Sequence, residues 1–249
     1  MLTSPSVTEG HFELVAPKGE SGKTWYKIVG SVRLTKGDKS FWTFELYIKE
    51  LDNLISHLDL HEYYILGRSW GGMLGAAYAA RQPVGLQKLV LASGPASVPL
   101  WIEGAKELFS QLPPEVRKTL EDCGHRGDYE SHEYEKAAAP WPADVLTSFG
   151  KLSDDRTAQG PYEFIITGMI KDWKGWKVGH EIKAETLLLN GRYDEMVDAC
   201  ILPWFQTIPK VRWVTLENAS HMGQFEDRER FISLCGSFLS SSSIESKSD

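Results

Sequence analysis

A serine between two glycines is the residue in this sequence whose surroundings most clearly indicate chemistry. The segment reads Gly67-Arg68-Ser69-Trp70-Gly71. An apolar run at residues 63–66 precedes it and an Ala-rich helical pattern at residues 73–81 follows, which is the strand–turn–helix context of a nucleophile elbow. We expect a Cβ at Gly67 or Gly71 to clash in so sharp a turn. We also expect the Trp70 backbone N–H to bind a developing oxyanion.

A serine hydroxyl is too weakly acidic to attack a carbonyl alone, so it needs a base and a group that orients the base. Two later strand patterns supply them, because one runs into a turn ending at Asp194 and the other into a loop ending at His221. Nucleophile, acid and histidine follow one another in the chain order of α/β hydrolases. We therefore predict that Asp194 orients the imidazole of His221. His221 takes the proton of Ser69 and later gives it to the leaving group.

Alternating strand and helix patterns predict the scaffold that positions these residues. Strand patterns occupy residues 11–15, 25–29, 63–66, 88–93, 186–189 and 211–216, and helical patterns occupy residues 44–58, 101–112, 114–122 and 228–239. The first two strands are predicted to form a hairpin. The remaining alternation predicts an α/β fold, specifically a mostly parallel, doubly wound sheet.

The segment between the central strands differs in composition from the rest of the chain. It is polar, contains tryptophan and is helical in parts, which predicts a lid inserted into the core. We predict an α/β-hydrolase core at residues 1–96 and 181–239 and a helical lid at residues 97–180. Residues 240–249 are Ser-rich and charged, and we expect them to be disordered.

Composition and charge limit the partners of the chain. Its 249 residues are 42% hydrophobic, which suits one domain with a lid. The net charge of −7 without a Lys/Arg cluster argues against nucleic acid and anionic membranes. We expect a cytoplasmic protein, because the sequence has neither an apolar run long enough to span a membrane nor a secretory signal. The three scattered cysteines are predicted to be reduced, which agrees with that location. We expect no cofactor or metal, because acyl transfer needs neither. The oligomeric state stays open.

Three segments closely resemble the proline iminopeptidase family of α/β hydrolases. They read Gly-Arg-Ser69-Trp-Gly-Gly-Met-Leu-Gly, Asn-Gly-Arg-Tyr-Asp194-Glu195 and Ser-His221-Met-x-x-Phe-Glu-Asp-Arg. The resemblance implies a serine aminopeptidase that releases an N-terminal residue, often proline, from small peptides or aminoacyl amides through an acyl-enzyme. It also implies that Ser69, Asp194 and His221 form the triad.

The same resemblance implies how the substrate's amino group is held. The family anchors that group with carboxylates, and Glu163 and Glu195 match those positions. The physics agrees, because an aminopeptidase must neutralise a buried ammonium and fix its distance from the nucleophile. Tryptophans of the lid could form a wall for a proline ring, but the sequence does not select among them.

One segment of the family pattern is missing. No His-Gly-Gly-Pro-Gly loop stands between Val29 and Tyr63. In the family this loop supplies the second oxyanion donor, and the strand before it lies beside the elbow strand. We therefore expect a sheet lacking one or two strands, with an open, apolar edge on the elbow strand unless the N-terminal hairpin pairs there.

This gap leaves two alternatives to an active aminopeptidase. One is a catalytically impaired hydrolase-fold binding protein or a truncated isoform, because the second oxyanion donor is missing. The other is an esterase for small esters, which would use the same triad. The carboxylates Glu163 and Glu195 argue against the esterase, since a neutral ester gives them no partner.

Overall fold

A four-stranded parallel sheet carries the predicted catalytic positions. The computed structural model describes residues 7–15, 21–29, 43–128, 131–134, 166 and 168–241. In this part of the chain the strands of the sheet follow the order β3-β4-β5-β6. They span Tyr63–Arg68 (β3), Leu86–Ala92 (β4), Glu185–Gly191 (β5) and Val211–Leu216 (β6). The predicted α/β fold with a mostly parallel sheet is therefore confirmed.

The described helices are α1 (Phe44–His57), α2 (Trp70–Ala79), α3 (Val98–Ser110), α4 (Pro114–Arg126), α5 (Asp198–Thr207), α6 (Gly223–Glu226) and α7 (Arg228–Ser240). Five of the described helices lie close to their predicted positions, whereas α5 and α6 were not predicted. A 3₁₀ segment, Gly175–Glu181, precedes β5. Helix α3 begins three residues before its predicted start, because the Ser97 hydroxyl accepts a hydrogen bond from the N–H of Leu100 and caps the helix.

Alternating side chains of the strands divide the core into two layers. In β4, Leu89 and Leu91 pack against the layer of α2, α3 and α5, whereas Val90 and Ala92 pack against α7. Burial of each large apolar side chain contributes about 1.5–3 kcal/mol to the free energy of unfolding. Both faces of β4 and β5 are therefore covered, and the ends of these strands form a rigid base for the loops that follow them.

The elbow strand β3 lies at an edge of the sheet. Within the described residues it pairs with β4 and has no strand on its other side. Tyr64 and Leu66 are 52% and 48% exposed, although their register partners in β4, Lys88 and Val90, are buried. The expected open edge with bare apolar side chains is therefore present. None of the described strands pairs with β3 on that side.

The N-terminal hairpin does not fill this edge. Strands β1 (Val7–Val15) and β2 (Ser21–Val29) pair antiparallel with each other, with Val7 opposite Val29. They form a separate two-stranded sheet. The predicted hairpin is confirmed, and it leaves β3 without a second neighbour among the described strands.

The predicted lid lies only partly within the described residues. Helices α3 and α4 belong to it, and α3 contributes Val98 and Trp101 to the core. Residues 135–165 and the tail from residue 242 lie outside the described residues, so the boundaries of core, lid and tail stay predictions. The three cysteines are buried and unpaired with one another. No described helix is both long and apolar enough to cross a membrane.

Lys88 joins the sheet to the last helix. It is 2% exposed, and its Nζ donates to the Phe238 carbonyl at 2.7 Å, to the Ser241 hydroxyl at 2.9 Å and to the Ser241 carbonyl. These acceptors lie at the C-terminal end of α7, where the helix dipole favours a positive charge. Lys88 therefore holds α7 against β4.

We expect Lys88→Met to lower the free energy of unfolding by about 2–4 kcal/mol. Methionine fills the volume but cannot donate, and hydrogen bonds from charged groups contribute about 1.5–3 kcal/mol each. Urea denaturation followed by circular dichroism measures the change. Lys106→Met, at an exposed position of α3, is the matched control and should leave the midpoint unchanged. Equal midpoints for both variants would contradict the role of Lys88.

Candidate active site

Ser69 lies in a strained turn between β3 and α2. Its φ of 51° and ψ of −120° belong to a conformation that residues with a Cβ rarely adopt. Its N–H donates to the Ala92 carbonyl at 2.9 Å, and its carbonyl accepts from the N–H of Gly72 at 2.9 Å. These two hydrogen bonds, one to the neighbouring strand and one within the first turn of the helix, hold the strained conformation of Ser69, as in a nucleophile elbow.

The two glycines of the motif have different surroundings. A Cβ on Gly67 would lie 2.1 Å from the carbonyl oxygen of Gly71, so the turn requires glycine there. A Cβ on Gly71 would meet no atom within 4 Å outside its own helix neighbourhood, so the expected clash at Gly71 is wrong. Gly71 lies in the first turn of α2, and its backbone carbonyl rather than its Cβ position makes the close approach.

Trp70 is the first residue of α2. Backbone N–H groups in the first turn of a helix have no acceptor within that helix and attract negative charge. The Trp70 N–H therefore suits the predicted oxyanion role, which stays a prediction. Residues 30–42, the part of the chain between the hairpin and α1, lie outside the described residues.

Asp194 and His221 meet at the carboxyl ends of β5 and β6. His221 Nδ1 lies 2.9 Å from Asp194 Oδ1, and the two side chains are 2% and 0% exposed. Asp194 Oδ1 also accepts from the N–H of Met196 at 2.9 Å. An ionised carboxylate only accepts hydrogen bonds, so Nδ1 carries the hydrogen and Nε2 is the nitrogen that can take a proton. The loop of the acid is tied to the loop of the base by a hydrogen bond from the Tyr193 N–H to the Ala219 carbonyl, 3.0 Å long.

Glu195 is the second carboxylate at the histidine. Its Oε1 lies 3.2 Å from His221 Nδ1, and its side chain is 19% exposed. Asp194, Glu195 and His221 also form the one group among the described residues whose ligand atoms could hold a metal ion, all within 4.8 Å. A metal on Nδ1 would replace the bond between His221 and Asp194, which the predicted triad requires. Glu163 lies outside the described residues.

Opposing effects set the pKa values of the pair. Burial alone would lower the pKa of His221. The hydrogen bond that His221 donates to Asp194 and the charges of Glu195 and Asp194 outweigh burial and the nearby Arg68, so the pKa is raised. Burial alone would raise the pKa of Asp194, but the hydrogen bond and charge of His221, with Ser93 and the Met196 N–H, hold it below its usual range. Asp194 is therefore ionised when His221 takes up a proton.

We expect Glu195→Gln to move the acidic limb of the kcat/KM profile to lower pH. His221 must be neutral to accept a proton, so activity rises as the pH passes the pKa of His221. The charge of Glu195 raises this pKa, so its removal lowers the pKa and moves the rise in activity to lower pH. The pH profile of any turned-over amide or ester measures it. Glu217→Gln, an exposed change in the loop after β6, is the control. An acidic limb at the same pH in Glu195→Gln and in the wild type would contradict an effect of Glu195 on the pKa of His221.

Sequence reasoning missed two residues that contact the loop of His221. Arg68, at the variable position before Ser69, donates from Nη2 and Nε to the His221 carbonyl at 3.2 and 3.4 Å. Glu226 accepts from the N–H groups of Ser220 and Met222 at 2.8 and 3.1 Å, and from the Ser220 hydroxyl at 2.6 Å. The signal for Glu226 was present, because it stands in the family-like segment that begins at Ser220 and His221.

Comparisons with known proteins agree with this geometry. Residues 19–228 match the family model described as the alpha/beta hydrolase fold. The proline iminopeptidase of Heyndrickxia coagulans is 28% identical over 218 residues, which cover 82% of this chain and 76% of that protein. A crystal structure of proline iminopeptidase from Mycobacterium smegmatis is 30% identical with a TM-score of 0.77, covering 89% of this chain and 80% of that chain. The crystal structure of VinJ is 36% identical with the same TM-score of 0.77, covering 81% and 73%.

Fold and site together define a hydrolase with the α/β-hydrolase fold. The strained elbow, the acid after β5 and the histidine after β6 stand in the order and at the strand ends that this fold uses. The matches of sequence and structure narrow the class further, and the chain belongs to the proline iminopeptidase family of α/β hydrolases. The resemblance predicted from the three segments is thereby confirmed.

Proposed function

We propose that this chain releases an N-terminal residue of the proline type from small peptides or aminoacyl amides through an acyl-enzyme on Ser69. The observation that carries the proposal is the second carboxylate at the base. Glu195 lies 3.2 Å from the nitrogen that Asp194 orients, so a second carboxylate stands beside the predicted triad. An ammonium group of the substrate is a fitting counter-ion for that charge.

The proposed reaction uses the geometry in a fixed order. His221 Nε2 takes the proton of the Ser69 hydroxyl as the oxygen attacks the carbonyl carbon, and Asp194 stabilises the imidazolium that forms. The Trp70 N–H at the start of α2 binds the oxyanion. His221 then gives the proton to the leaving amine, and a water molecule, activated by the same base, hydrolyses the acyl-enzyme.

An aromatic cluster beside the elbow supports a ring-shaped residue as substrate. Trp70 directly follows Ser69, and its ring lies 4.8 Å from that of Phe44 between centroids. Phe44 stacks on Trp173 at 4.3 Å with an interplanar angle of 15°. These rings offer an apolar surface around Trp70, and a pyrrolidine ring bound against it would lose contact with water. Trp173 is the lid tryptophan that this cluster favours.

A matched pair of substrates tests the proposal. Proline 4-nitroanilide keeps the free amine and N-acetylproline 4-nitroanilide lacks it. We expect kcat/KM to be about 10²- to 10³-fold higher for the free amine, since leaving a buried charge without its partner costs about 3–5 kcal/mol. Glu195→Gln and Glu163→Gln should each narrow this ratio. Equal turnover of the acetylated amide, or preference for a simple ester without an amine, would favour the esterase.

The open edge of β3 favours a second candidate, a catalytically impaired binding protein. Without the family's second oxyanion donor the rate would fall by about 10²- to 10³-fold. Such a protein would be folded and would resist a serine-directed fluorophosphonate. It would nevertheless gain thermal stability from a proline-like amine ligand. Turnover that depends on Ser69 would exclude this candidate.

A further inference from the structure

The loop that carries His221 is held from two sides by side chains that take no part in the triad. Glu226, at the end of the one-turn helix α6, accepts from the N–H groups on both sides of the histidine, those of Ser220 and Met222. Its other oxygen accepts from the Ser220 hydroxyl at 2.6 Å. An exposed carboxylate is ordinarily hydrated by water, whereas this one makes three hydrogen bonds to a single loop.

Arg68 holds the same loop from the side of the nucleophile. Its guanidinium donates to the carbonyl of His221 itself, at 3.2 Å from Nη2. Arg68 is the last residue of β3, and the next residue is Ser69. The arginine therefore ties the backbone of the base directly to the strand that carries the nucleophile, across a separation of 153 residues.

These contacts fix three consecutive residues of the loop. Glu226 uses the donors of residues 220 and 222, and Arg68 uses the acceptor of residue 221. Charge-assisted hydrogen bonds are stronger and more directional than neutral ones. A misplacement of about 1 Å in a catalytic group can reduce a rate about 10²-fold. Asp194 orients the imidazole ring, but nothing in that contact fixes the backbone from which the ring projects.

We propose that Glu226 and Arg68 are positioning residues that hold the His221 loop in register with Ser69. The inference rests on the proposed function only in taking His221 as the base for Ser69, and it is independent of the substrate. Glu226 sets the path of the loop and Arg68 sets its distance from the elbow. Neither side chain exchanges a proton with the substrate.

Labelling of Ser69 by a fluorophosphonate tests the inference without a substrate. The reagent loses fluoride as the Ser69 oxygen attacks phosphorus, and His221 takes the proton, so the second-order rate reports the alignment of the two residues. We expect Glu226→Ala to slow labelling by about 10- to 100-fold per folded molecule. Arg68→Met should slow it by about 3- to 10-fold, because only one acceptor, the His221 carbonyl, loses its donors.

Two matched variants separate positioning from general stability. Glu226→Gln should label within about threefold of the wild type, because its amide oxygen can accept both N–H groups while the Ser220 hydroxyl accepts from its NH₂. Glu229→Ala, at an exposed position in the first turn of α7, should label at the wild-type rate. A Glu226→Ala protein that unfolds more easily but labels at the wild-type rate when folded would overturn the inference.

A second variant and a second readout cover the remaining outcomes. If Glu226→Ala does not fold, Ser220→Ala, which removes one contact only, should slow labelling by about 2- to 5-fold. An unchanged rate in Ser220→Ala would overturn the inference.

If the wild type itself does not label, the proposed function fails, and amide hydrogen exchange then tests the positioning role. The Ser220 and Met222 amides should then exchange about 10-fold faster in Glu226→Ala than in the wild type, and equal exchange would overturn the role.

Discussion

Replacing Asp194 with asparagine is expected to lower kcat by about 10⁴-fold while the protein stays folded. Asp194 holds His221 Nδ1 at 2.9 Å, and both side chains are buried. Asparagine keeps the shape of the side chain, but its NH₂ group can donate to Nδ1. The imidazole would then carry its hydrogen on Nε2, the nitrogen that must accept the proton of Ser69.

The measurement is steady-state hydrolysis of a proline amide, with labelling by a fluorophosphonate as a check that needs no substrate. Asp172→Asn changes a carboxylate that is 84% exposed and should leave kcat unchanged. A reduction of less than tenfold in the Asp194→Asn protein would mean that Asp194 does not orient the base.

Gly67→Ala is expected to destabilise the protein by about 3 kcal/mol or more and to remove activity. The added Cβ would lie 2.1 Å from the Gly71 carbonyl oxygen, a backbone atom that can move only if the elbow opens. Opening the elbow would shift Ser69 away from its strained conformation.

Gly71→Ala is the matched control within the same motif. Its Cβ would meet no atom within 4 Å beyond its own helix turn, and alanine in a helix is about 0.5–1 kcal/mol more favourable than glycine. We therefore expect an unchanged or higher melting temperature for Gly71→Ala. Thermal unfolding followed by circular dichroism measures both variants. Equal melting temperatures would show that the elbow can relax around an extra methyl group.

The sequence was sufficient for the features that arise from local pattern. The sharp turn at Ser69 could be predicted because a strand, a glycine turn and a helix lie next to one another in the chain. The contact between Asp194 and His221 could be predicted because each residue follows a strand in the required order. The open edge of β3 among the described strands could be expected too, since the sequence between Val29 and Tyr63 lacks the family's His-Gly-Gly-Pro-Gly segment, which follows the neighbouring strand.

The features that the sequence did not reveal depend on contacts between distant segments. Arg68 meets the carbonyl of His221 across 153 residues, and its position in the motif places no demand on residue type. Lys88 begins what reads as a buried strand, yet its acceptors lie at the end of α7, 150 residues away. The clash expected at Gly71 was wrong for the same reason, that the sequence does not show contacts in space. Only the path of the backbone shows which glycine faces a neighbouring atom and which faces open space.

The measurement that most directly tests the account is hydrolysis of a proline amide by purified protein that size exclusion and circular dichroism show to be folded, compared with its Ser69→Ala variant. We predict turnover by the wild type, and a loss of about 10³-fold or more together with the loss of fluorophosphonate labelling in Ser69→Ala. A folded wild-type protein that neither hydrolyses the amide nor reacts with the fluorophosphonate would contradict the account.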